Sequence, residues 1–507
     1  MSGEPGTIVR NTAAYSAAYA FTFLSNLVLV PFVVASLGPE QYGGVWVIVG
    51  ALTAWVGLMD LGAGTSFVKY IAEYHARGDM RALGEILSTG TALYAAAGIA
   101  MVTAALLLDD AILTLAGVPA GLRGDALFVF WVGLAVLTGA NIASPVTSVL
   151  TGIQRMDLQA LVSIGVQACS IGGTVFVLAG GHGMRGLVVN NLAAMLLNAA
   201  ACSVLAFRLL PGVRIRPSLV RMERARSMVA FGLNMQVSRL AEIVVFQTDR
   251  ILTLRMFGHL ASTGYDVGAR LCSAARSASF LLISALLPAF SDLDAKGDRA
   301  LLAELYGRGT RYLAVAATGA FGLVFVLAPD LLAVWMGEAY AVHAPLVRAL
   351  ACGYYVNIMT GAASSMTAAL DRTRVNRSYG ILVSLLNLPV VAASALLLGP
   401  VGIAAGTSLT LVIGAAFFLG RFGRETGIPG RTTLRLMGGP AAAGMAVCGA
   451  CFLWQLTGGK ALLPAGSAAG LLVTGGLFLG LYAGTLLRTG LVDAADRRLL
   501  RSLLGSR

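Results

Sequence analysis

Apolar runs of about twenty residues, separated by short polar stretches, recur along the whole chain. A run of roughly 20 apolar residues, rising 1.5 Å per residue as a helix, crosses the hydrocarbon core of a bilayer. Runs near 12–37, 44–68, 83–108, 124–150, 158–180, 185–209, 228–257, 262–290, 307–328, 345–369, 378–398, 400–420, 436–456 and 464–488 predict about fourteen transmembrane helices. The first run is as long as a full span, so it reads as an uncleaved helix. The fold class expected is therefore an all-α polytopic membrane protein.

One run differs from the rest. The stretch 232–255, GLNMQVSRLAEIVVFQTDRILTLR, is apolar enough to span but carries five ionised side chains. At 100° per residue Gly232, Gln236, Arg239, Glu242, Phe246, Asp249, Arg250 and Thr253 share one arc, while Leu233, Leu240, Val244, Ile251 and Leu254 face away. Charge inside a membrane is costly unless it faces a cavity or a partner. The stripe therefore lines a pathway or forms a salt-bridge seam between helices.

Composition narrows the class. With 57% hydrophobic and 12% charged residues and a mean hydropathy of +0.80, the chain lacks the polar surface a soluble globule of 507 residues needs. The net charge of +12 comes from basic residues in short loops, where it signals sidedness rather than nucleic acid. Alternate loops and tails hold 27 basic residues against three, Arg123, Arg185 and Lys460, so both termini are expected in the cytoplasm. Six more lie within spans: Arg239, Arg250, Arg255, Arg270, Arg276 and Arg348. The six cysteines sit in apolar runs and the four histidines are scattered, so neither disulfides nor metal sites are expected, and no cofactor.

A weak internal repeat at an offset of about 216–220 residues divides the first twelve spans into two sixes. Gly78-Asp79 recurs as Gly297-Asp298, Asn141-Ile142 as Asn357-Ile358, and Gly183 and Gly186 as Gly399 and Gly402. An even number of helices per repeat makes the halves parallel, an arrangement that encloses a central cleft whose access alternates by rocking. The expected domains are a first lobe at 1–209, a cytoplasmic linker at 210–227, a second lobe at 228–420, and two added spans with a cytoplasmic tail at 421–507. No loop is long enough for a separate folded domain.

Span 8 adds Asp266, Arg270, Ser273, Ser277 and Ser284 on one face, making a polar hairpin with span 7. Helical rise brings Asp249 level with Arg270 and Glu242 roughly level with Arg276, so these and Asp266 are candidate structural charge pairs. Six intramembrane bases against four acids, Asp60, Glu242, Asp249 and Asp266, leave a surplus of two. That sign suits an anionic group such as a diphosphate, which Arg239, Arg250 and Arg270 would hold by bidentate hydrogen bonds. In the first lobe Tyr15, Tyr19, Thr22 and Asn26 line one face of span 1, and Trp46, Thr53 and Asp60 one face of span 2. Tyr19 and Asn26 suit a sugar, although aromatic residues near span ends also serve as interface anchors. Glu242 and Asp60 are the candidates for ion coupling, with a capping role beside Gly62 and Gly64 as the alternative for Asp60.

Other patterns carry no chemistry. The literal GxGxxG at 181–186 follows no strand and reads as a tight outer turn. Asp292-Leu293-Asp294 spells a DxD but reads as a solvated helix end. No nucleophile triad, zinc or P-loop constellation appears, so an enzyme is not expected.

LVPFVVASLGPEQYGGVWVI and LMDLGAGTSFVKYIAEYHARGD in the first lobe, with TDRILTLRMFGHLASTGYDVGARL and LLPAFSDLDAKGD in the second, resemble the Wzx-type polysaccharide flippases of the multidrug/oligosaccharidyl-lipid/polysaccharide (MOP) exporter superfamily. Tyr265, Arg270 and Leu271 also approximate a Tyr-x-x-x-Arg-Leu pattern of lipid II flippases, with one extra residue before the arginine. The resemblance implies a MATE-like fold of two six-helix lobes plus two C-terminal helices. It implies an ion-coupled flippase of the bacterial inner membrane that moves a polyprenyl-diphosphate-linked oligosaccharide between leaflets. Membrane lipids and assembly proteins such as a polysaccharide polymerase are the implied partners. The competing readings are a drug antiporter of the same fold, for which an acidic cleft would be expected, and a lipid II-type flippase.

Overall fold

The computed structural model describes residues 5–57, 64–459 and 467–491, all-helical apart from short turns and loops. Asp60 lies outside the described residues. Two compact units form, Met1–Thr263 and Gly264–Arg507. The division falls inside one helix, α8.

The first unit contains α1 (Pro5–Gln41), a π-helical turn (Tyr42–Trp46), α2 (Val47–Val56), α3 (Gly64–Ala76), α4 (Met80–Ala116), α5 (Arg123–Gly152), α6 (Met156–Ala179), α7 (Gly183–Leu209) and the start of α8 (Met222–Ala295). The second contains the rest of α8, then α9 (Arg299–Met336), α10 (Ala344–Met359), α11 (Gly361–Ala369), α12 (Thr373–Leu398), α13 (Pro400–Thr426), α14 (Gly430–Trp454) and α15 (Ala468–Arg488). Among the described residues ten helical stretches are long and apolar enough to cross a membrane. α10 and α11, 16 and 9 residues long, are each too short alone. Spans 7 and 8 of the sequence reading lie within the stretch α8 as two helices that meet at a kink at Gly258 (φ 82°, ψ −177°).

The backbone makes the repeat explicit. Gly78 and Gly297 both sit at φ +69°, which a residue with a Cβ rarely adopts. The next residue caps a helix in each half: Asp79 accepts from Ala82 N at 2.9 Å, and Asp298 from Leu301 N at 3.0 Å. Each of α4 and α9 ends at a glycine of positive φ, Gly117 and Gly337. Among the described residues, the two non-glycine residues of positive φ are also equivalent, Gln154 (62°) after α5 and Asp371 (54°) after α11. α1 and α8 break at Gly38 (φ 77°) and Gly258 (φ 82°). Pro145 inside α5 has its counterpart in the break between α10 and α11 at Thr360, where one extra residue shifts the register by one.

Expected linkers prove to be docked. Along 210–221, Ser88 Oγ accepts from Arg216 N and Thr89 Oγ1 from Arg221 N, each at 3.0 Å. Gly84 leaves no more than contact space for the passing chain, since a Cβ there would lie 3.0 Å from Arg214 O. Glu85 draws in Arg221 at 3.5 Å and Arg81 at 3.8 Å, and Arg224 donates to Tyr74 Oη while stacking on its ring. Beneath lies a core that includes Phe67, Ile71, Leu83, Ile86, Leu87 and Tyr94.

In the second unit the two added helices lie against α9. Tyr482 Oη donates to Val315 O at 3.0 Å, Tyr306 and Thr433 hydroxyls meet at 2.8 Å, and Gly444 admits Thr318 where a Cβ would clash at 2.1 Å. Cys451 belongs to this core and Cys448 packs against it, as small apolar side chains. The glycines at 181 and 183 have positive φ and form the expected tight turn, and Asp292 pairs with Lys296 at an exposed helix end.

Candidate functional site

α8 organises the charged residues. Its break at Gly258 is held within the first unit by the π-helical turn: Ser262 Oγ donates to Gly43 O at 3.0 Å and Thr263 Oγ1 to Pro39 O at 2.9 Å. Only glycine fits at position 43, because a Cβ would lie 2.3 Å from His259 O.

Along α8 the predicted polar stripe separates into two parts. Arg239 and Glu242, one turn apart, are exposed, as is Leu240 on the opposite face. Asp249 and Thr253 are wholly buried, Thr253 Oγ1 donating to Asp249 O at 2.6 Å. Arg250 is half-buried and donates to the Gln247 amide oxygen. Arg255 Nη1 donates to Thr114 O in the last turn of α4, at 3.2 Å, where a cation also meets the negative end of the helix dipole. The stripe is thus accessible near its cytoplasm-assigned end and locked into protein toward Gly258.

Beyond the break, Asp266 is buried and accepts from Arg270 Nε at 2.7 Å, while the Arg270 side chain keeps 35% of its surface exposed. This pair lies one turn apart on α8. Arg276 is half-buried and acts electrostatically on Tyr379, whose hydroxyl accepts from Asn357 Nδ2 at 2.9 Å. Arg348 is another of the six basic residues within predicted spans. It donates to Phe325 O at 3.0 Å, stacks on Phe452 at 4.9 Å, and feels the charge of buried Asp330. No sequence periodicity links these partners, which come from α9, α10 and α14.

In the first unit Asn26 is exposed on α1, and Tyr19 belongs to that helix although its side chain is outside the described residues. Thr53 Oγ1 donates to its own helix at Val49 O, and Trp46 is half-buried in the π-helical turn. A cavity of about 240 Å³ between α5 and α7 is lined by Asn141, Ser144, Thr147 and Asn198 with Met195 and Ala199. Sequence reading touched it only through Asn141 as a repeat match. Among the described residues no group of His, Cys, Asp and Glu is arranged to hold a metal ion.

Three comparisons bear on this architecture. Residues 8–294 match the family model described as "Polysaccharide biosynthesis protein". A structure of the lipid II flippase MurJ in an inward closed conformation is similar at a TM-score of 0.72 and 12% identity, covering 97% of this chain and 100% of that one. An inward-facing multidrug resistance MATE family transporter of the MOP superfamily is similar at 0.71 and 14%, covering 80% and 94%. A Vibrio cholerae MATE transporter, VcmN, is similar at 0.60 and 13%, covering 82% and 97%. No curated protein matches the sequence. The chain belongs to the polysaccharide biosynthesis protein family and has the fold of the MOP-superfamily transporters.

Proposed function

We propose that the protein is a flippase of the bacterial cytoplasmic membrane, moving a polyprenyl-diphosphate-linked oligosaccharide from the inner to the outer leaflet by alternating access. One observation carries the reading: Arg239, at the depth of a predicted span, is exposed rather than buried in protein. An exposed guanidinium at that depth is costly in lipid and useful where a diphosphate passes. Arg270 is oriented by Asp266 and keeps about a third of its side chain exposed, at 35%. Arg250, tied to Gln247, completes the candidate set. The lipid II flippase among the similar structures supports a lipid-linked diphosphate as the substrate class.

Both termini and the 210–227 linker face the cytoplasm in this reading, and energy comes from an ion gradient through Glu242 or Asp60. A multidrug antiporter shares the fold. The surplus of bases over acids among the intramembrane charges of the sequence favours the anionic substrate.

The test is charge-preserving substitution. Arg239→Lys and Arg270→Lys keep the cation but lose the planar fork, so flipping in proteoliposomes should fall about tenfold, the equivalent of ~1.4 kcal/mol of lost bidentate bonding. Wild-type rates in both variants, with normal insertion, would reject a bidentate diphosphate site.

A further inference from the structure

The cavity between α5 and α7 has chemistry unlike the α8 stripe. Its polar lining is Asn141, Ser144, Thr147 and Asn198, two amides and two hydroxyls, with no ionisable side chain. Asn141 and Asn198 each lie eleven residues before the end of their helix, at Gly152 and Leu209, so both amides sit about 16 Å in from those ends. Two amides at that depth, with Ser144 and Thr147 nearer the end of α5, are costly against hydrocarbon, and a ligand or water that hydrogen-bonds to them removes the cost.

The repeat shows that these groups are open by divergence. Asn357, the counterpart of Asn141, donates to the hydroxyl of Tyr379. Aligning Arg155 with Arg372 places Val162 where Tyr379 stands, so the first half lacks the hydroxyl that occupies the second amide. Among the described residues the Asn141 side chain has no hydrogen-bond partner, and the Asn198 carbonyl meets only the Cys202 thiol, at 3.9 Å. Thr147 donates to Ser144 O at 3.2 Å, a long contact that a ligand oxygen can replace. Amides and hydroxyls with unused donors and acceptors match the vicinal hydroxyls of a sugar ring. The Met195 side chain beside them supplies an apolar surface for its C–H face. At about 240 Å³ the cavity falls below the roughly 300 Å³ of drug-sized sites, which suits one ring rather than an oligosaccharide.

We propose that this cavity is a subsite for a single uncharged sugar ring of the lipid-linked substrate. The inference rests on the flippase reading above and adds a second point of recognition, separate from the diphosphate contacts of α8. An acidic sugar is disfavoured, because the lining offers no cation to a carboxylate.

The full-length protein in lipid nanodiscs tests this with polyprenyl diphosphate, bare or carrying one hexose, one N-acetylhexosamine, one 6-deoxyhexose or one hexuronate. The wild type should bind at least one neutral-sugar lipid about tenfold more tightly than the bare lipid, and the hexuronate lipid no better than the bare one. Asn141→Leu and Asn198→Leu should abolish that preference and leave affinity for the bare lipid unchanged. Ala199→Leu, which fills the cavity without removing a hydrogen-bonding group, should do the same and serves where an asparagine variant fails to fold. Equal binding of all five lipids, a preference for the hexuronate lipid, or a sugar preference that survives Ala199→Leu overturns the subsite while leaving the diphosphate reading intact. Failure of the wild type to bind any of the five overturns both.

Discussion

Single residues on α8 divide by what covers them. Periodicity placed Arg239, Glu242, Asp249 and Thr253 on one face, and the burial of Asp249 and Thr253 against the exposure of Arg239 and Glu242 was invisible to it. A helical wheel states which way a side chain points and not which helix meets it. Glu242 is exposed where Asp249 is buried, which makes it the accessible acid of the stripe. Glu242→Gln in proteoliposomes is expected to abolish the response of flipping to a pH or sodium gradient while substrate binding persists. A variant that still responds to the gradient assigns Glu242 a structural role. His343, in the connection between α9 and α10, offers a separate pH effect. Its ring lies where a Cβ on Gly264 would be, 2.3 Å from Cε1, and burial holds its pKa below the ordinary 6.5. Folding therefore favours the neutral ring, and protons bind more readily to the unfolded chain. The stabilisation is complete above about pH 6.5 and declines as pH falls below it. Thermal unfolding of the purified protein should show this loss, and His343→Gln should reduce it.

At the scale of elements, turns and caps were legible and contacts were not. Gly78-Asp79 and Gly297-Asp298 could be matched by eye because a positive-φ glycine and a capping aspartate are dictated locally. The boundary between spans 7 and 8 was legible and falls at the kink at Gly258, whereas nothing in the sequence reports that Gly43 and its neighbours brace the bend from outside. That contact makes its own prediction. Gly43→Val must displace backbone at His259 and should cost about 1–3 kcal/mol, read as a lower unfolding temperature and reduced yield in the membrane. Gly44→Ala, whose Cβ would meet Leu122 at 3.4 Å, should be tolerated. The Arg348 guanidinium, stacked on Phe452 and bonded to Phe325 O, likewise joins helices far apart in sequence, which the periodicity of one helix does not report.

For the whole molecule, hydropathy and charge asymmetry carried most of the information. Backbone polar groups in a bilayer leave few alternatives to helices, so apolar run length alone made the class readable. The 27 basic residues against three predict the sidedness, and reporter fusions after Ser227 and after Arg377 should both be active only as cytoplasmic reporters. Periplasmic activity at either would exclude the fourteen-span arrangement. The matched breaks at Gly38 and Gly258 reach further back than topology. With those glycines aligned, Tyr19, Thr22 and Asn26 stand at the positions of Arg239, Glu242 and Phe246. In sequence, α1 thus carries neutral, hydrogen-bonding residues at the positions where α8 carries charge. In the flippase proposed above, such a pair of repeat-related faces suits a cargo with a neutral end and an anionic one.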